Sequence, residues 1–373
     1  MKLALRELRR RPGRFVTATV ILTLIASLLM LLGGLLDGLD SGATSAVLAQ
    51  PGDVIVYSSG SDESFIRSRI DPDLRGSVDG VEGVEGSAGI GVAQLGARVP
   101  GAGPRDLADV VVFGHELAPD GVPPLDELDA GTGWADVSLR EDGVREGMTL
   151  ELGPRRTPIE VAGFVDGLQY SGQATLWVDP DTWRATLNEN RPGSGLADGV
   201  FQALVVRAAD GVDPEQLAGW IDDATDGATT SLSVEAAAAA IPGVEQQRSV
   251  FNQIISATVG VAVVVVALFF ALLTVERIGM YGVLKALGAR SSTLFGGVVL
   301  QAVAVTAAAA LLGVVVAVAL DLAIPAGSIP YELSPARVLG SVASLLVAAV
   351  IGSAFSLRRV LRIDPASAIG GTT

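Results

Sequence analysis

The 373-residue chain has no cysteine, one histidine and two lysines. Each shortage removes a class of chemistry. Without cysteine there is no disulfide framework, no thiol nucleophile and no thiolate metal site. A single histidine, His115, cannot build a histidine-rich metal cluster. Its surroundings, "GHELAPDG", read as a solvated loop rather than as part of a Ser–His–Asp triad. A phosphate-binding loop needs Gly-Lys-Ser/Thr, but the lysines are Lys2 and Lys285, the latter in "VLKAL". The chain therefore does not bind ATP by that motif. The acidic runs "DPD" at 71–73 and 179–181 read as turns rather than cation sites. The expectation is a non-catalytic chain with no metal site and no cofactor of its own.

Charge is missing in places too. Phe15–Leu36, Ile254–Val275, Leu294–Leu320 and Val338–Leu357 contain no Asp, Glu, Lys or Arg. At about 1.5 Å per residue, even the shortest reaches the thickness of a bilayer core. A charge at mid-helix costs roughly 2.5–3.5 kcal/mol on insertion scales, so four clean runs predict four membrane spans. No ionisable residue inside a span is placed to relay protons or couple to an ion gradient, and Asp321 falls at a span end.

What charge there is has been sorted. Lys2, Arg6, Arg9, Arg10, Arg11 and Arg14 precede the first run; Arg277, Lys285 and Arg290 lie between the second and third; Arg358, Arg359 and Arg362 follow the fourth. The excess of basic residues on the cytoplasmic side places both termini and the segment 276–293 inside. The segment 37–248 then lies outside, and it holds 36 acidic against 13 basic residues. A negative exterior over a basic interior excludes nucleic acid as a partner and suits contact with the anionic inner leaflet. The N-terminus has two readings, a cleaved signal peptide ending near "VLAQ" or a retained anchor. The 22 apolar residues of the first run exceed a signal core of about 7–15 and favour the anchor. Residues 1–14 read as an amphipathic surface helix broken by Pro12-Gly13.

The exterior segment reads as α+β. Strands are expected at Val54–Tyr57, Val92–Val99, Asp109–Phe113, Met148–Leu152, Ile159–Val165, Ala174–Val178, Phe201–Arg207 and Ser231–Val234. Helices are expected at Glu63–Ile70, Pro180–Leu187 and Pro214–Asp223, the last two opening with Asp-Pro. "PDGVPPLDELDAGTG" (119–133) reads as a mobile loop. "LREDGVREGMTLELG" with "PIEVAGFV" suggests a small β-barrel beside a separate α/β part. In "VEAAAAAIPGVEQQRSVFNQII" (234–255) alanine favours helix, Pro242-Gly243 interrupts it, and a stalk helix over 244–253 grades into the second span, 254–275. An outer loop, 321–337, and a cytoplasmic tail, 358–373, complete the layout.

Two features of the membrane part point to packing and to a partner. Gly340, Ser344, Ala348, Gly352 and Ser356 recur every four residues on the fourth span, a small face suited to close helix approach. Thr19, Thr23 and Ser27 form a similar stripe on the first, and Gln301 is the one amide among the spans. The second feature is "ERIGMYGVLKALGAR" (276–290), which follows the second span directly. Ile278, Tyr281, Val283, Leu284 and Leu287 can gather on one side for a partner's groove. Glu276, Arg277 and Lys285 can fix register, while Gly279, Gly282 and Gly288 allow a sharp turn. The alternative is a solvated loop with snorkelling basic residues.

"ERIGMYGVLKALGARSSTLFGGVVLQA" resembles the signature of FtsX-like, MacB-type ABC transporter permeases. "LALRELRRRPGRF" is similar to that family's surface helix and "RRVLRIDPASAI" to its usual ending. The order of one span, a large outer domain and three spans is also the family's. "AAAAAIPGVEQQ" and "YGVLKALGA" further resemble the HrtB and DevC-like haem-exporter branch. The resemblance implies a homodimer of four-span chains in the bacterial plasma membrane, driven by two copies of a cytoplasmic ABC ATPase that holds ATP and Mg. Glu276 to Ala289, with Ala286 and Gly288 among them, would be the coupling segment, and movement would pass outward by mechanotransmission. Other classes remain open: a signalling subunit that regulates an extracytoplasmic partner such as a cell-wall hydrolase, and, less favoured, a membrane-anchored extracellular enzyme.

Overall fold

The computed structural model describes residues 12–103, 106–276, 279–280, 283, 287, 290–324 and 329–361. They divide into two compact units, one formed by residues up to Gly38 and from Gln247 onward, the other by Leu39–Gln246.

In the first unit, helix α1 runs Pro12–Leu48, continuing into the second unit, and Pro12 occupies its first turn, where a missing N–H costs nothing. Pro12-Gly13 therefore opens this helix, and the expected surface helix ahead of it lies outside the described residues. The other long helices are Val244–Glu276, Ser291–Ala323 and Pro335–Leu361. All four are long and apolar enough to cross a membrane. Leu24, Leu268 and Leu311 are each about two-thirds exposed in the absence of lipid, as expected of faces solvated by acyl chains. Buried positions form two clusters, one around Phe15, Leu22, Phe270 and Val305, the other around Ala26, Ala262, Ala310, Leu345 and Ala348. Small residues set the helix spacing: a Cβ on Gly313 would meet that of Ala26 at 2.7 Å.

The second unit carries strands β1 (Val54–Ser58), β2 (Val84–Arg98), β3 (Leu107–His115), β4 (Thr132–Asp136), β5 (Thr149–Leu152), β6 (Thr157–Val165), β7 (Gln169–Tyr170), β8 (Gln173–Val178), β9 (Ala203–Ala208) and β10 (Thr229–Ser233). Its helices are α2 (Pro72–Asp79), α3 (Pro180–Asn190), α4 (Pro214–Ala224) and α5 (Val234–Ala239); the three remaining long helices become α6, α7 and α8 in chain order. Strand order is β10-β1-β9-β2-β3-β8-β4-β6-β5, and β5 also pairs with β2. Two motifs follow. The set β1-α2-β2 and β9-α4-β10, with sheet order β10-β1-β9-β2, is a split βαβ, ferredoxin-like arrangement whose pairings are all antiparallel. The insertion between β2 and β9 closes six strands into a ring, β2-β3-β8-β4-β6-β5. The barrel and the α/β part expected from the sequence both exist, but as one sheet in which the fifteen-residue β2 belongs to each.

Strand periodicity explains how both faces are used. Val54 and Val56 meet Leu217 and Ile221 of α4, whereas Ile55 and Tyr57 enter an aromatic core with Phe65, Phe113, Tyr170 and Trp177. Val111 and Phe113 share that core, while Val110 and Val112 fill the ring interior with Leu150, Ile159 and Leu176. Three helices start on Asp-Pro, and the carboxylates of Asp71, Asp179 and Asp213 accept from backbone N–H groups of the first turn. Glu63–Ile70 is not helical: Asp62 and Glu63 both sit at φ 49°, and Ser58 donates its backbone N–H to Ser68 Oγ at 2.8 Å. The segment 119–133, expected as a loop, contains a 3₁₀ turn at Leu125–Glu127 and the start of β4.

Gly91 and Gly114 lie under the indole of the fully buried Trp183, which stacks on Phe201 at 6.1 Å, and Gly89 lies under Phe201. A side chain at either of the first two glycines displaces the indole. Gly91→Val is expected to cost about 3 kcal/mol, the upper end for overpacking. All four tryptophans, at 134, 177, 183 and 220, lie in this unit, so a thermal melt followed by tryptophan fluorescence reads the loss.

Candidate functional site

The segment after α6 is where the sequence places a partner contact. Glu276 is the last residue of α6, and Arg290 stands as N-cap of α7. Between them Gly279, Met280 and Val283 are helical, and Leu287 donates its backbone N–H to Val283 O at 3.0 Å. Met280 is 41%, Val283 57% and Leu287 79% exposed, three apolar side chains at spacings of three and four. Such spacing puts them on one side of a helical turn. Arg277, Ile278, Tyr281, Gly282, Leu284, Lys285, Ala286, Gly288 and Ala289 lie outside the described residues.

The small-residue face of α8 divides in two. Ala348 is buried, and a Cβ on Gly352 would lie 2.6 Å from Val263 O and 3.0 Å from Val266 Cβ of α6. That half packs as a helix seam. Gly340, by contrast, has nothing within 4 Å of a Cβ position, and with Ser344 it lines a cavity instead. Ser356 lies in α8, and its side chain is outside the described set. On the first span, Thr23 Oγ1 donates to Ala309 O at 3.4 Å and Thr19 to its own helix at Phe15 O.

A second site was not anticipated. "GGLLDG", residues 33–38 of α1, receives the stretch from Pro330 to Arg337. A Cβ on Gly33 would meet Arg337 Cδ at 2.6 Å, one on Gly34 would enter the Tyr331 ring, and one on Gly38 would strike the Pro330 carbonyl. Glu332 donates its backbone N–H to Gly34 O at 3.0 Å. Arg337 Nε donates to Asp37 Oδ1 at 3.1 Å and Oδ2 at 3.2 Å, and its Nη2 also donates to Oδ1. Ser334 Oγ donates to Asp37 Oδ2 at 2.9 Å and accepts from Arg337 N, capping α8 ahead of Pro335. The ion pair is mostly shielded, with side chains 19% and 30% exposed, which makes it stronger than a surface pair. Three glycines, an aspartate and a Ser-Pro are the signal; because the partners lie 300 residues apart, no local pattern joins them.

His115 does not lie in a solvated loop. It ends β3 at 1% exposure, edge-on to Trp177 at 5.6 Å, because β3 places it beside β8 at the aromatic core. Both ring nitrogens lack a hydrogen-bond partner, and burial lowers its pKa to about 4. No hydroxyl or carboxylate is hydrogen-bonded to it as a triad requires. Among the described residues no group of three or more His, Asp or Glu is placed to hold a metal ion.

Comparison with known proteins finds likeness to permeases. Residues 253–365 match the sequence profile described as FtsX-like permease C-terminal. That stretch, less than a third of the chain, is similar to the C-terminal part of FtsX-like permeases. Over 374 aligned residues it is 26% identical to Rv0072, an uncharacterized ABC transporter permease of Mycobacterium tuberculosis, with 99% of each chain covered. It is 29% identical over 131 residues to a Staphylococcus haemolyticus protein named as the hemin transport system permease HrtB. There the match covers 35% of this chain and 37% of that one. Among solved structures, the extracellular domain of the ABC-type transporter YknZ from Gram-positive bacteria aligns at TM-score 0.33 and 15% identity. It covers 48% of this chain and 100% of that one. The periplasmic region of MacB from Actinobacillus actinomycetemcomitans aligns at 0.35 and 10%, covering 50% and 91%. The profile match and the full-length relative are both to permeases, and the four long apolar helices agree with a multi-pass membrane subunit of an ABC transporter.

Two outcomes are expected. His115 is neutral in the fold and binds a proton more readily when unfolded, so its contribution is complete above pH 6.5 and shrinks as pH falls towards 4. Roughly 3 kcal/mol is lost across that window; a His115→Phe variant lacks this component in fluorescence-monitored denaturant titrations. In the membrane unit, Asp37→Ala and Arg337→Ala each cost about 1.5–3 kcal/mol, and the double variant costs much less than their sum in SDS-driven unfolding followed by circular dichroism.

Proposed function

We propose that the permease is the membrane subunit of an exporter driven by mechanotransmission. The segment 276–293 is its cytoplasmic handle, both termini are cytoplasmic, and two permease chains engage two ATPase chains. The observation that carries this reading is the exposed apolar turn of Met280, Val283 and Leu287, set between two spans and inside the family-matched region. Apolar side chains at helical spacing on a short connection suit a hydrophobic groove on a soluble partner. The flanking basic residues support the orientation, since Arg277, Lys285 and Arg290 belong to one of three basic clusters. Without a nucleotide-binding loop of its own, the chain draws its energy from ATP and Mg held by the partner. The large acidic outer domain suits work on an extracytoplasmic substrate, and the name of HrtB makes hemin one candidate to assay.

Val283→Asp and Leu287→Asp place a charge on that turn without touching a buried contact. Each is expected to abolish co-purification with the cognate cytoplasmic ATPase while leaving the fluorescence melt of the outer domain unchanged. Retention of the ATPase by both variants would overturn the handle. Substrate-stimulated ATP hydrolysis in the reconstituted pair supports export; an ATPase cycle that instead activates a cell-wall hydrolase supports the signalling role.

A further inference from the structure

Helix α1 ends in the outer unit, and its last turns are held there by more than packing. Strand β7 has two residues and joins the sheet through β8, its neighbour across the two-residue turn Ser171-Gly172. Both turn residues have positive φ, 53° and 75°, as in the I′ turn of a tight hairpin. Within such a hairpin the N–H groups of the two turn residues have no partner, and here both go to α1. Ser171 donates its N–H to Ala43 O and Gly172 donates its N–H to Gly42 O, each at 2.9 Å. Both carbonyls lie inside the helix, and a second lone pair on each oxygen accepts the extra bond. Ser45 Oγ accepts from Gln169 N at 2.9 Å and donates to Gln169 O at 3.2 Å. Gly42 permits the approach, since a Cβ there would sit 3.0 Å from Gln169 Oε1. Tyr170, between these bonds, is buried against Phe65 and Phe113. The hairpin is thus anchored in the aromatic core and bonded to α1 at once.

The start of α6 is connected differently. It follows Pro242-Gly243, both exposed, with Gly243 at φ 91° and nothing within 4 Å of where its Cβ would be. Val244 then rests in the same aromatic core by apolar contact. A glycine joint with open space around it can rotate, whereas four directional hydrogen bonds to one helix resist both sliding and rolling. We propose that the β7–β8 hairpin is a strap that fixes the outer end of α1 to the ring, with Ser45 as its positioning residue, and that it delivers movement of α1 to the ring strands. The sequence puts the stalk on α6; the strap makes α1 the stiff connection. The delivery role rests on the mechanotransmission reading, while the strap itself does not.

The test uses the full chain with its cognate ATPase in lipid nanodiscs, read by hydrogen–deuterium exchange over residues 168–173 and 174–178. Ser45→Val and Ser45→Thr introduce the same shape, and only the second keeps the hydroxyl. The amides of Gln169, Ser171 and Gly172 are expected to exchange about ten-fold faster in Ser45→Val than in the native chain, the scale of one or two lost hydrogen bonds. In Ser45→Thr they are expected to keep the native rate, and the ATPase co-purifies with both variants. Vanadate trapping of the ATPase is expected to shift exchange along β8 in the native chain and in Ser45→Thr, and to leave it unshifted in Ser45→Val. Native exchange of Ser171 and Gly172 at the rate of a free turn would overturn the strap, as would equal exchange in the two variants. A trapping shift of native size in Ser45→Val would overturn the delivery role alone. No trapping shift in the native complex would instead overturn the mechanotransmission reading and the delivery role together.

Discussion

Everything in this molecule follows from the cost of placing an unpaired charge in hydrocarbon. The spans are emptied of ionisable groups, so the chain's 67 charged residues crowd into the segments between and around them, basic in the short ones and acidic in the long one. Of the 26 basic residues, 12 lie in the three basic clusters and 13 in the segment 37–248; Arg337 alone belongs to neither. Its position at the start of α8 would be costly without Asp37, and Asp37 bounds the first uncharged run in turn. The two residues that mark where spans begin and end are thus each other's counter-ion, and three glycines on α1 make room for the chain that brings them together.

The same economy shapes the outer domain. One strand, β2, serves two motifs: its first half pairs with β9 in the ferredoxin-like set and its second half with β5 in the ring. Its first residues pair with β9, Ile90–Arg98 with β3, and Ala97 and Arg98 also with β5, so its side chains face three separate cores. Aromatic side chains fill the place where those motifs meet. Phe113 stacks on Trp177 at 4.5 Å, and Phe65 bridges Tyr57 and Tyr170 edge-on. Burial there pushes the Tyr57 phenol well above its ordinary range and the Tyr170 phenol up to about 12, so both stay protonated.

Much of this was legible because the signals were local. Four runs without charge specify four spans, and Asp-Pro marks the starts of α3 and α4. Pro242-Gly243 separates α5 from α6 where the sequence predicted a break, with Gly243 at φ 91°. All eight expected strands appear, because alternation of Val, Ile and Leu with smaller or polar residues is a period-two pattern. Strand β2, however, begins at Val84 rather than Val92, and β4 and β7 were not foreseen. The misses have physical causes. Asp71-Pro72 carries the same cap as the other helices, but the acidic pair around it reads equally well as a turn. The polar stretch 61–70 resembles a helix in composition, yet hydrogen bonds between Ser58 and Ser68 hold it in turns. His115 is buried by a parallel neighbour 60 residues further on, which no window detects. The periodic small face of α8 is one pattern in sequence and two environments in space. The clasp at Asp37, and the cavity beside it, depend on residues from opposite ends of the chain.

The insertion between β2 and β9 has a temporal consequence. Val54 pairs with Ser233, about 180 residues later, whereas the hairpin joining β2 to β3 closes over a short loop. Loop-closure entropy and topology favour near partners first. During vectorial emergence of the chain, the ring can assemble while β1 waits with an unpaired edge, and the ferredoxin-like half is completed only when β9 and β10 arrive. By then α6 is next to leave the ribosome, so maturation of the outer half and delivery of the last three helices to the insertion machinery fall within the same interval of synthesis.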